Sequence, residues 1–254
     1  MNKVNMEKVW RPSPKFILRR DAIRRSTRGW SPGLFLEVGA GTGTMTASFL
    51  ERGFHGVCWD VTPENRQILR ENLSRYTSQV EVPDALPSES EREFEYLFAF
   101  EVLEHIRNDL GALYDWAQRL KFGGRVLISV PAHQRKFSKE DEYVGHYRRY
   151  EKEQLRELLD EAGFSDIQIF NYGFPLGNIT GFISRRLALS GTDRDELTKT
   201  RRSTESGVRR SKAVRLVGRF CNDFCLLPFR WAQRPFFSLD IGDGYVATAR
   251  LGQK

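Results

Sequence analysis

The sequence predicts an α/β domain built on a mostly parallel sheet. From residue 34 onward, short apolar segments alternate with helical stretches, which is the pattern of successive βα units. A length of 254 residues with 40% hydrophobic residues suits one large domain. We therefore expect a single α/β core and no second complete domain.

The predicted strands are short segments that are either apolar throughout or alternate between apolar and polar residues. In chain order they cover residues 34–38, 56–61, 80–82, 96–102, 126–130, 164–170 and 244–251. The last of these strands closes the chain.

Capping residues mark the helices between these strands. A helix over 45–52 follows the first strand, and Thr62-Pro63 supplies the N-cap and first position of a helix that runs to Tyr76. An apolar stripe, with Leu110, Leu113, Trp116 and Leu120, predicts the next helix, which we expect to end at Gly123-Gly124. A charged helix over 151–162 stops at Gly163.

Basic residues are concentrated in two segments of the chain. Residues 1–30 contain nine Lys or Arg against two acids, and residues 182–234 contain thirteen against five, whereas the whole chain has a net charge of +7. These segments favour an anionic partner. A phosphate-bearing substrate, a membrane surface and a nucleic acid are the three alternatives. Solvated basic helices without a partner are the alternative.

These patterns divide the chain into four parts. We predict a basic N-terminal helical segment (1–30), the core (31–176), a basic and aromatic helical insertion (177–240) and a final core strand (241–254). The insertion has a polar middle and an arginine-rich aromatic end, so we expect it to act as a lid or as a membrane or substrate element. Without a long apolar stretch or an apolar signal core, the chain is expected to be cytoplasmic.

A glycine-rich loop lies between the first strand and the next helix. It reads Glu37-Val-Gly39-Ala40-Gly41-Thr-Gly43. Glycines let the backbone approach a ligand, and the helix N-terminus offers unpaired N–H donors to the ligand's polar end. A tight turn without a ligand and a dinucleotide-binding loop share this pattern.

Asp60 lies at the C-terminal end of the second strand, where its carboxylate can accept hydrogen bonds from both hydroxyls of an adenosine ribose. NAD-dependent enzymes use the same device. The structural alternative is an aspartate that caps the helix beginning at Pro63, although Thr62 is better placed to do so.

Three further strings extend the pattern beyond a nucleotide-binding loop. Asp84-Ala85 follows the third strand, Phe100-Glu101-Val-Leu-Glu104-His105 follows the fourth, and residues 120–131 carry a Gly-Gly turn before the fifth. With the glycine loop, these strings resemble the class I S-adenosylmethionine-dependent methyltransferase superfamily, in its type 11/12-like small-molecule branch. The resemblance covers residues 34–172 and the final strand.

The resemblance implies a Rossmann-like sheet of seven mostly parallel strands, with helices on both faces, an antiparallel last strand and a helical insertion before it. It implies S-adenosylmethionine as cofactor and S-adenosylhomocysteine as product. Asp60 would hold the ribose diol, Asp84 the adenine amine, and Phe100-Glu101 would line the sulfonium region. The implied cofactor contacts are Glu37, Gly39, Ala40, Gly41, Gly43, Asp60, Val61, Asp84, Ala85, Phe100 and Glu101.

A second string follows the fifth strand, at the edge where open α/β sheets place ligands. It runs from Asp141 to Gly145-His146-Tyr147-Arg148-Arg149-Tyr150 and resembles the D…GHxRRY string of a bacterial methyltransferase group associated with glycoconjugate, polyprenyl-linked or lipid metabolism. The resemblance implies that Tyr147, Arg148, Arg149 and Tyr150 bind the acceptor. Alternatively, the Arg-Arg-Tyr portion anchors the helix that begins at Glu151.

Methyl transfer from a sulfonium mainly requires alignment and exclusion of water, and it needs a base only if the acceptor must lose a proton. His146 is our first candidate base, followed by His105, His133 and the carboxylate of Glu104. A hydrogen-bonded structural histidine is the alternative for each imidazole. Neither the three cysteines nor any other residues show metal-ligand spacing, so metal-independent transfer is predicted.

The predicted function is methyl transfer to an O or N atom of a small-molecule, glycan or lipid-linked acceptor, with peripheral contact to an anionic membrane. An RNA methyltransferase is the first alternative, but the Asn/Asp-Pro-Pro-aromatic string that holds a flipped base is missing after the fourth strand. An NAD-linked oxidoreductase or a non-catalytic nucleotide-binding module is the second alternative.

Overall fold

A seven-stranded sheet forms the centre of the protein in a computed structural model that describes residues 13–88, 93–179 and 225–252. The strands are β1 (Leu34–Val38), β2 (His55–Trp59), β3 (Val80–Glu81), β4 (Phe94–Phe100), β5 (Leu120–Pro131), β6 (Phe164–Tyr172) and β7 (Gly244–Leu251). Their order is β3-β2-β1-β4-β5-β7-β6, with β7 antiparallel to both of its neighbours and the other pairs parallel. The predicted Rossmann-like sheet with an antiparallel last strand is confirmed.

The α-helices whose bounds the structure describes accompany the sheet. They are α1 (Pro14–Ser26), α2 (Thr44–Leu50), α3 (Pro63–Asn72), α4 (Asp109–Arg119), α5 (Lys139–Val144), α6 (Lys152–Glu161) and α7 (Leu227–Ala232). Thr62 caps α3 as predicted, since its hydroxyl accepts from the Asn65 backbone N–H at 3.3 Å. A 3-10 turn, Leu103–His105, follows β4 and carries two of the candidate catalytic residues.

The two faces of the sheet are covered by different helices. Trp116 of α4 and Leu159 of α6 pack in one buried cluster, whereas Leu18 of α1, Phe49 of α2 and Leu69 of α3 pack in the other. The prediction of helices on both faces is confirmed. Because β1, β2, β4 and β5 run in one direction, their carboxyl ends lie at one edge, where the candidate site forms.

The predicted end of the fourth helix at Gly123-Gly124 is wrong. The helix ends at Arg119. Leu120 is already the first residue of β5, where it pairs with Phe94 of β4. The register shifts before Arg125, and Gly123 has a positive φ of 76° in the intervening bulge. Pairing with β4, a tertiary contact, therefore overrides the local helical signal of the apolar stripe.

The other predicted boundaries differ from the structure by a few residues. The fourth strand stops at Phe100 because Glu101 has a φ of 57°, which is incompatible with a continued strand. The third helix ends at Asn72 and is followed by a separate 3-10 turn, Ser74–Tyr76.

The described end of the predicted insertion packs against α1. Arg230 and Arg234 both contact Oδ1 of Asp21 at 3.2 Å, and the Gln233 side chain donates to the Leu18 carbonyl. Leu227, Phe229 and Trp231 of α7 are exposed. The polar middle of the predicted insertion, residues 191–212, lies outside the described residues.

Two further observations concern membrane-spanning helices and the cysteines. Within the described ranges, no helix combines the length and the apolar character needed to cross a membrane. Cys58 is a buried free thiol, whereas Cys225 is exposed, and Cys221 lies outside the described residues.

Candidate active site

The glycine loop leaves β1 with its glycines in the left-handed region. Gly39 and Gly41 have φ of 69° and 56°, and the Gly39 backbone N–H donates to the Trp59 carbonyl at 2.8 Å. A Cβ on Gly39 would lie 2.5 Å from Cγ2 of Val102, whereas a Cβ on Gly41 would meet nothing within 4 Å. Gly39 therefore permits close packing on the segment after β4, and Gly41 keeps a backbone surface open to a ligand.

Asp60 ties this loop to α3. Its side chain is 5% exposed; Oδ2 accepts from the Gly41 N–H at 3.0 Å, and Oδ1 accepts from the Asn65 side chain at 2.9 Å. Thr62, not Asp60, provides the cap of α3 that accepts from Asn65 N–H. The carboxylate thus lies beside the open loop backbone, and Val61 next to it is exposed. The predicted ribose contact of Asp60 stays a prediction.

Glu37, the first residue of the loop motif, faces the protein interior. Its carboxylate accepts from the Thr46 hydroxyl at 2.7 Å and is almost fully buried. Burial raises the pKa of Glu37 to about 8, although the hydrogen bond from Thr46 opposes the shift. In this structure Glu37 supports the start of α2, and its predicted cofactor contact stays a prediction.

The residues predicted to hold the adenine lie at the surface. Asp84 has a side-chain exposure of 83% and pairs with Arg70 of α3 at 2.6 Å, and Ala85 is also exposed. The hydrogen bond and charge of Arg70 lower the pKa of Asp84. The carboxylate is accessible to a ligand, and its predicted adenine contact stays a prediction.

Glu101 is held by two cations from α1. Lys15 and Arg19 reach its carboxylate at 3.0 and 3.2 Å, and the Ser129 hydroxyl donates to it at 3.2 Å. Burial opposes the charge, but Lys15 and Arg19 outweigh it and hold the pKa of Glu101 well below its usual range. Sequence reasoning missed both partners; the basic N-terminal segment was the only signal. Phe100, which precedes Glu101, is largely buried.

Three candidate catalytic residues come together beside Glu101. Ligand-type atoms of Glu104, His105 and His146 all lie within 4.8 Å of one another. Burial, and secondly the charge of Glu101, raises the pKa of Glu104. Burial, and secondly the charge of His146, lowers the pKa of His105 to about 4. We call these three residues the acceptor-side cluster.

Asp141 orients His146 within this cluster. Its Oδ1 lies 2.9 Å from His146 Nδ1 and also accepts from Arg149 at 2.9 Å. Burial opposes the charge of Asp141, but the hydrogen bond with His146 and the charge of Arg149 lower its pKa to about 2. Asp141 begins the D…GHxRRY string, yet the sequence alone gave it no role, because its contact with His146 depends on how α5 ends.

The four predicted acceptor-binding residues differ in accessibility. Tyr147 is partly exposed, whereas Tyr150 is fully buried and donates to Asp109 at 2.9 Å. Arg148 also contacts Asp109, at 2.5 Å, and Arg149 is paired with Asp141. The Tyr150 hydroxyl anchors the start of α4, and its predicted acceptor contact stays a prediction. Both guanidinium groups are likewise already paired.

His133 lies outside the acceptor-side cluster. Its Nδ1 is 3.3 Å from Glu151, and its Nε2 is 3.7 Å from Asp240, in a second group of potential ligands. The sequence showed no metal-ligand spacing, but folding assembles two such groups from segments that are distant in sequence.

The comparisons with known proteins agree with this geometry. A family model described as "Methyltransferase domain" matches residues 14–169, which is more than half of the chain. The chain belongs to the methyltransferase domain family. The predicted class I, S-adenosylmethionine-dependent methyltransferase and its cofactor are confirmed at the level of the family. This membership gives no support to an NAD-linked oxidoreductase.

Solved structures of methyltransferases share the fold of this family member. Phosphoethanolamine N-methyltransferase 2 of Haemonchus contortus, in complex with S-adenosyl-L-methionine, is 19% identical, with a TM-score of 0.58 over 92% of this chain and 52% of that chain. This chain therefore spans about half the length of that enzyme. A putative methyltransferase of Bacillus halodurans C-125 is 16% identical, with a TM-score of 0.56 over 92% and 99% of the two chains.

The N-methyltransferase NodS of Bradyrhizobium japonicum WM9, in complex with S-adenosyl-L-homocysteine, is 13% identical, with a TM-score of 0.55. The match covers 92% of this chain and 86% of that chain. At these identities the likeness establishes the fold alone. A search of the curated proteins finds no match.

Proposed function

We propose that this protein transfers a methyl group from S-adenosylmethionine to an O or N atom of a small-molecule acceptor. The observation that carries the proposal is the hydrogen bond between Asp60 and the Gly41 N–H, which joins a carboxylate to an open glycine loop at the carboxyl edge of the sheet. A nucleoside with a ribose diol and a polar tail fits that pairing of groups.

The cofactor would lie along the ends of β1, β2 and β4. Asp60 would accept from the ribose hydroxyls, and the Gly41 backbone would allow the methionine part to approach closely. Gly39 contacts Val102, so the loop and the segment after β4 are in direct contact. The methyl group would then face the acceptor-side cluster, which begins two residues further along.

The acceptor-side cluster would position the nucleophile. A lone pair of the acceptor attacks the methyl carbon, the S–CH₃ bond breaks, and S-adenosylhomocysteine leaves with the bonding electron pair. Asp141 holds Nδ1 of His146, so the Nε2 atom faces Glu104 at 3.8 Å. An imidazole held in this way can accept the acceptor's proton or bind a cation.

Glycan and lipid-linked acceptors are the finer proposal. Leu227, Phe229 and Trp231 are exposed on α7, which supports contact with an apolar acceptor or a bilayer surface. The described arginines of this region pair with Asp21, so they offer no free cationic side to anionic lipid. Lys15 and Arg19 pair with Glu101, so these four basic residues lend no support to an RNA acceptor.

Calorimetric titration with S-adenosylhomocysteine tests this proposal. The wild-type protein is expected to bind, and Asp60→Ala to bind about 10- to 100-fold more weakly, because hydrogen bonds to a charged carboxylate are lost. Asp160→Ala is the matched control, since Asp160 is exposed on α6, and it should leave the affinity unchanged. A folded wild-type protein that binds NAD instead of S-adenosylhomocysteine would overturn the proposal.

A further inference from the structure

Glu104 is a buried carboxylate without a partner for its charge. It is 0% exposed, and no other residue in the described part of the chain makes a hydrogen bond to either of its oxygens. Its own backbone N–H lies beside the carboxylate, and Nε2 of His146 lies 3.8 Å from Oε1. Burying a carboxylate in this way is costly unless a positive charge compensates it.

The two histidines beside Glu104 are each fixed by a hydrogen bond on one side of the ring. Asp141 holds Nδ1 of His146 at 2.9 Å, and the His105 ring makes a hydrogen bond with the Gly145 backbone. The rings meet edge to face with centroids 4.6 Å apart. Each imidazole therefore keeps one nitrogen for the cluster, which is the arrangement of metal-binding histidines with outer hydrogen-bond partners.

We propose that Glu104, His105 and His146 bind one divalent transition-metal cation, of which Mn²⁺ and Zn²⁺ are representative. Two imidazole nitrogens and one carboxylate favour these ions over Ca²⁺ and Mg²⁺, which prefer oxygen ligands. The ligand-type atoms already lie within 4.8 Å of one another. Glu101 is not counted as a ligand, because Lys15 and Arg19 occupy its carboxylate.

The second histidine–carboxylate group provides a contrast. Around His133, the Glu151 and Asp240 side chains are 50% and 42% exposed, and both carboxylates already accept hydrogen bonds, from the Gln134 backbone and from Tyr245. Their charges are solvated and satisfied without an ion. We therefore assign the cation to the buried cluster and not to this group.

The cation replaces the expectation of metal-independent transfer. Its role rests on the proposed function: three protein ligands leave coordination positions open, and an acceptor oxygen bound there would have a lowered pKa and a fixed orientation. His146 would then act as a ligand, and the acceptor's proton would leave from the metal-bound oxygen to solvent.

Metal binding can be measured without methyl transfer. Full-length protein, stripped of metal with a chelator, is titrated calorimetrically with Mn²⁺, Zn²⁺ and Mg²⁺. We expect one site per chain for Mn²⁺ and Zn²⁺ and much weaker binding of Mg²⁺. Glu104→Gln should weaken Mn²⁺ binding at least about 100-fold, because a charged ligand is lost from a three-ligand site. Asp240→Asn, in the second group, should change it less than about twofold.

Circular dichroism establishes that Glu104→Gln is folded, which we expect because the amide has the same shape and removes a buried charge. Failure of the folded wild-type protein to bind Mn²⁺ or Zn²⁺, or unchanged binding by Glu104→Gln, would overturn the inference. Loss of binding in Asp240→Asn alone would also overturn it. A protein that binds S-adenosylhomocysteine but no metal would contradict only this inference, whereas metal binding without S-adenosylhomocysteine binding would contradict only the proposed function.

Discussion

The proposed cofactor half and the proposed acceptor half of the site are built in different ways. The cofactor half depends on backbone conformation, with positive φ at Gly39 and Gly41 and a hydrogen bond from the Gly41 N–H to the Asp60 carboxylate. The acceptor half depends on buried charged side chains, such as Asp141 and Arg149, that come from distant segments. A site of the first kind can be predicted from a contiguous motif, whereas a site of the second kind depends on the folded network.

The largest expected effect comes from breaking this network at Arg149. Its guanidinium contacts Asp141, and both side chains are almost fully buried. Arg149→Met should lower the free energy of unfolding by about 3 kcal/mol, because it leaves a buried carboxylate without its main counter-charge. Urea unfolding at pH 7 measures the change.

Arg148→Met is the matched control for this experiment. Arg148 is more exposed, and Tyr150 continues to donate to Asp109 after the change. We expect a loss of about 1 kcal/mol. Equal losses in the two variants would mean that the acceptor half is not organised around the buried pair.

The glycine loop provides the second comparison. Gly39→Ala combines a positive φ with a clash against Val102 and should cost roughly 2–4 kcal/mol of stability. Gly41→Ala carries only the φ penalty, about 1–2 kcal/mol, but it adds a methyl group where we place the cofactor. Thermal unfolding and S-adenosylhomocysteine titration of both variants separate the two effects. A larger stability loss in Gly41→Ala would contradict the assigned roles.

The difference between the halves explains what the sequence could predict. Strands 34–38 and 244–251 were predicted with the bounds that the structure has, because their apolar character and flanking glycines are local signals. The Gly123-Gly124 helix end was wrong, because Leu120 pairs with Phe94 across the sheet. Local propensity does not contain that pairing.

The same reasoning applies to the site residues. Glu104, His105 and His146 were recognised one by one as candidate bases, but their convergence requires the turn after β4 to meet the end of α5. The positions of Lys15 and Arg19 on Glu101 depend on how α1 docks onto the sheet. The burial of Tyr150 could not be predicted, because a tyrosine in a polar string gives no sign of it.

A smaller, pH-dependent effect is expected at Glu37. Its pKa is about 8 in the folded protein and about 4.3 in the unfolded chain, so the folded state binds the proton more tightly. This contribution to stability is complete below pH 4 and is lost as the pH rises towards 8. As the pH rises from 6 to 8.5, the free energy of unfolding of Glu37→Gln should therefore increase by about 1–3 kcal/mol relative to that of the wild-type protein.

Urea unfolding at the two pH values measures the Glu37 effect, and Glu157→Gln is the control, since Glu157 is exposed on α6. A Glu37→Gln difference that does not change with pH would show that the carboxylate is ionised and satisfied in the folded protein.

The most direct test of the account measures S-adenosylhomocysteine binding to Asp60→Ala and Glu104→Gln side by side. The two halves are separable if Asp60→Ala loses about 10- to 100-fold in affinity while folded Glu104→Gln stays close to wild type. We predict this result. An equal loss in Glu104→Gln, or no binding by the folded wild-type protein, would contradict the division of the site into a backbone-built cofactor half and a charge-built acceptor half.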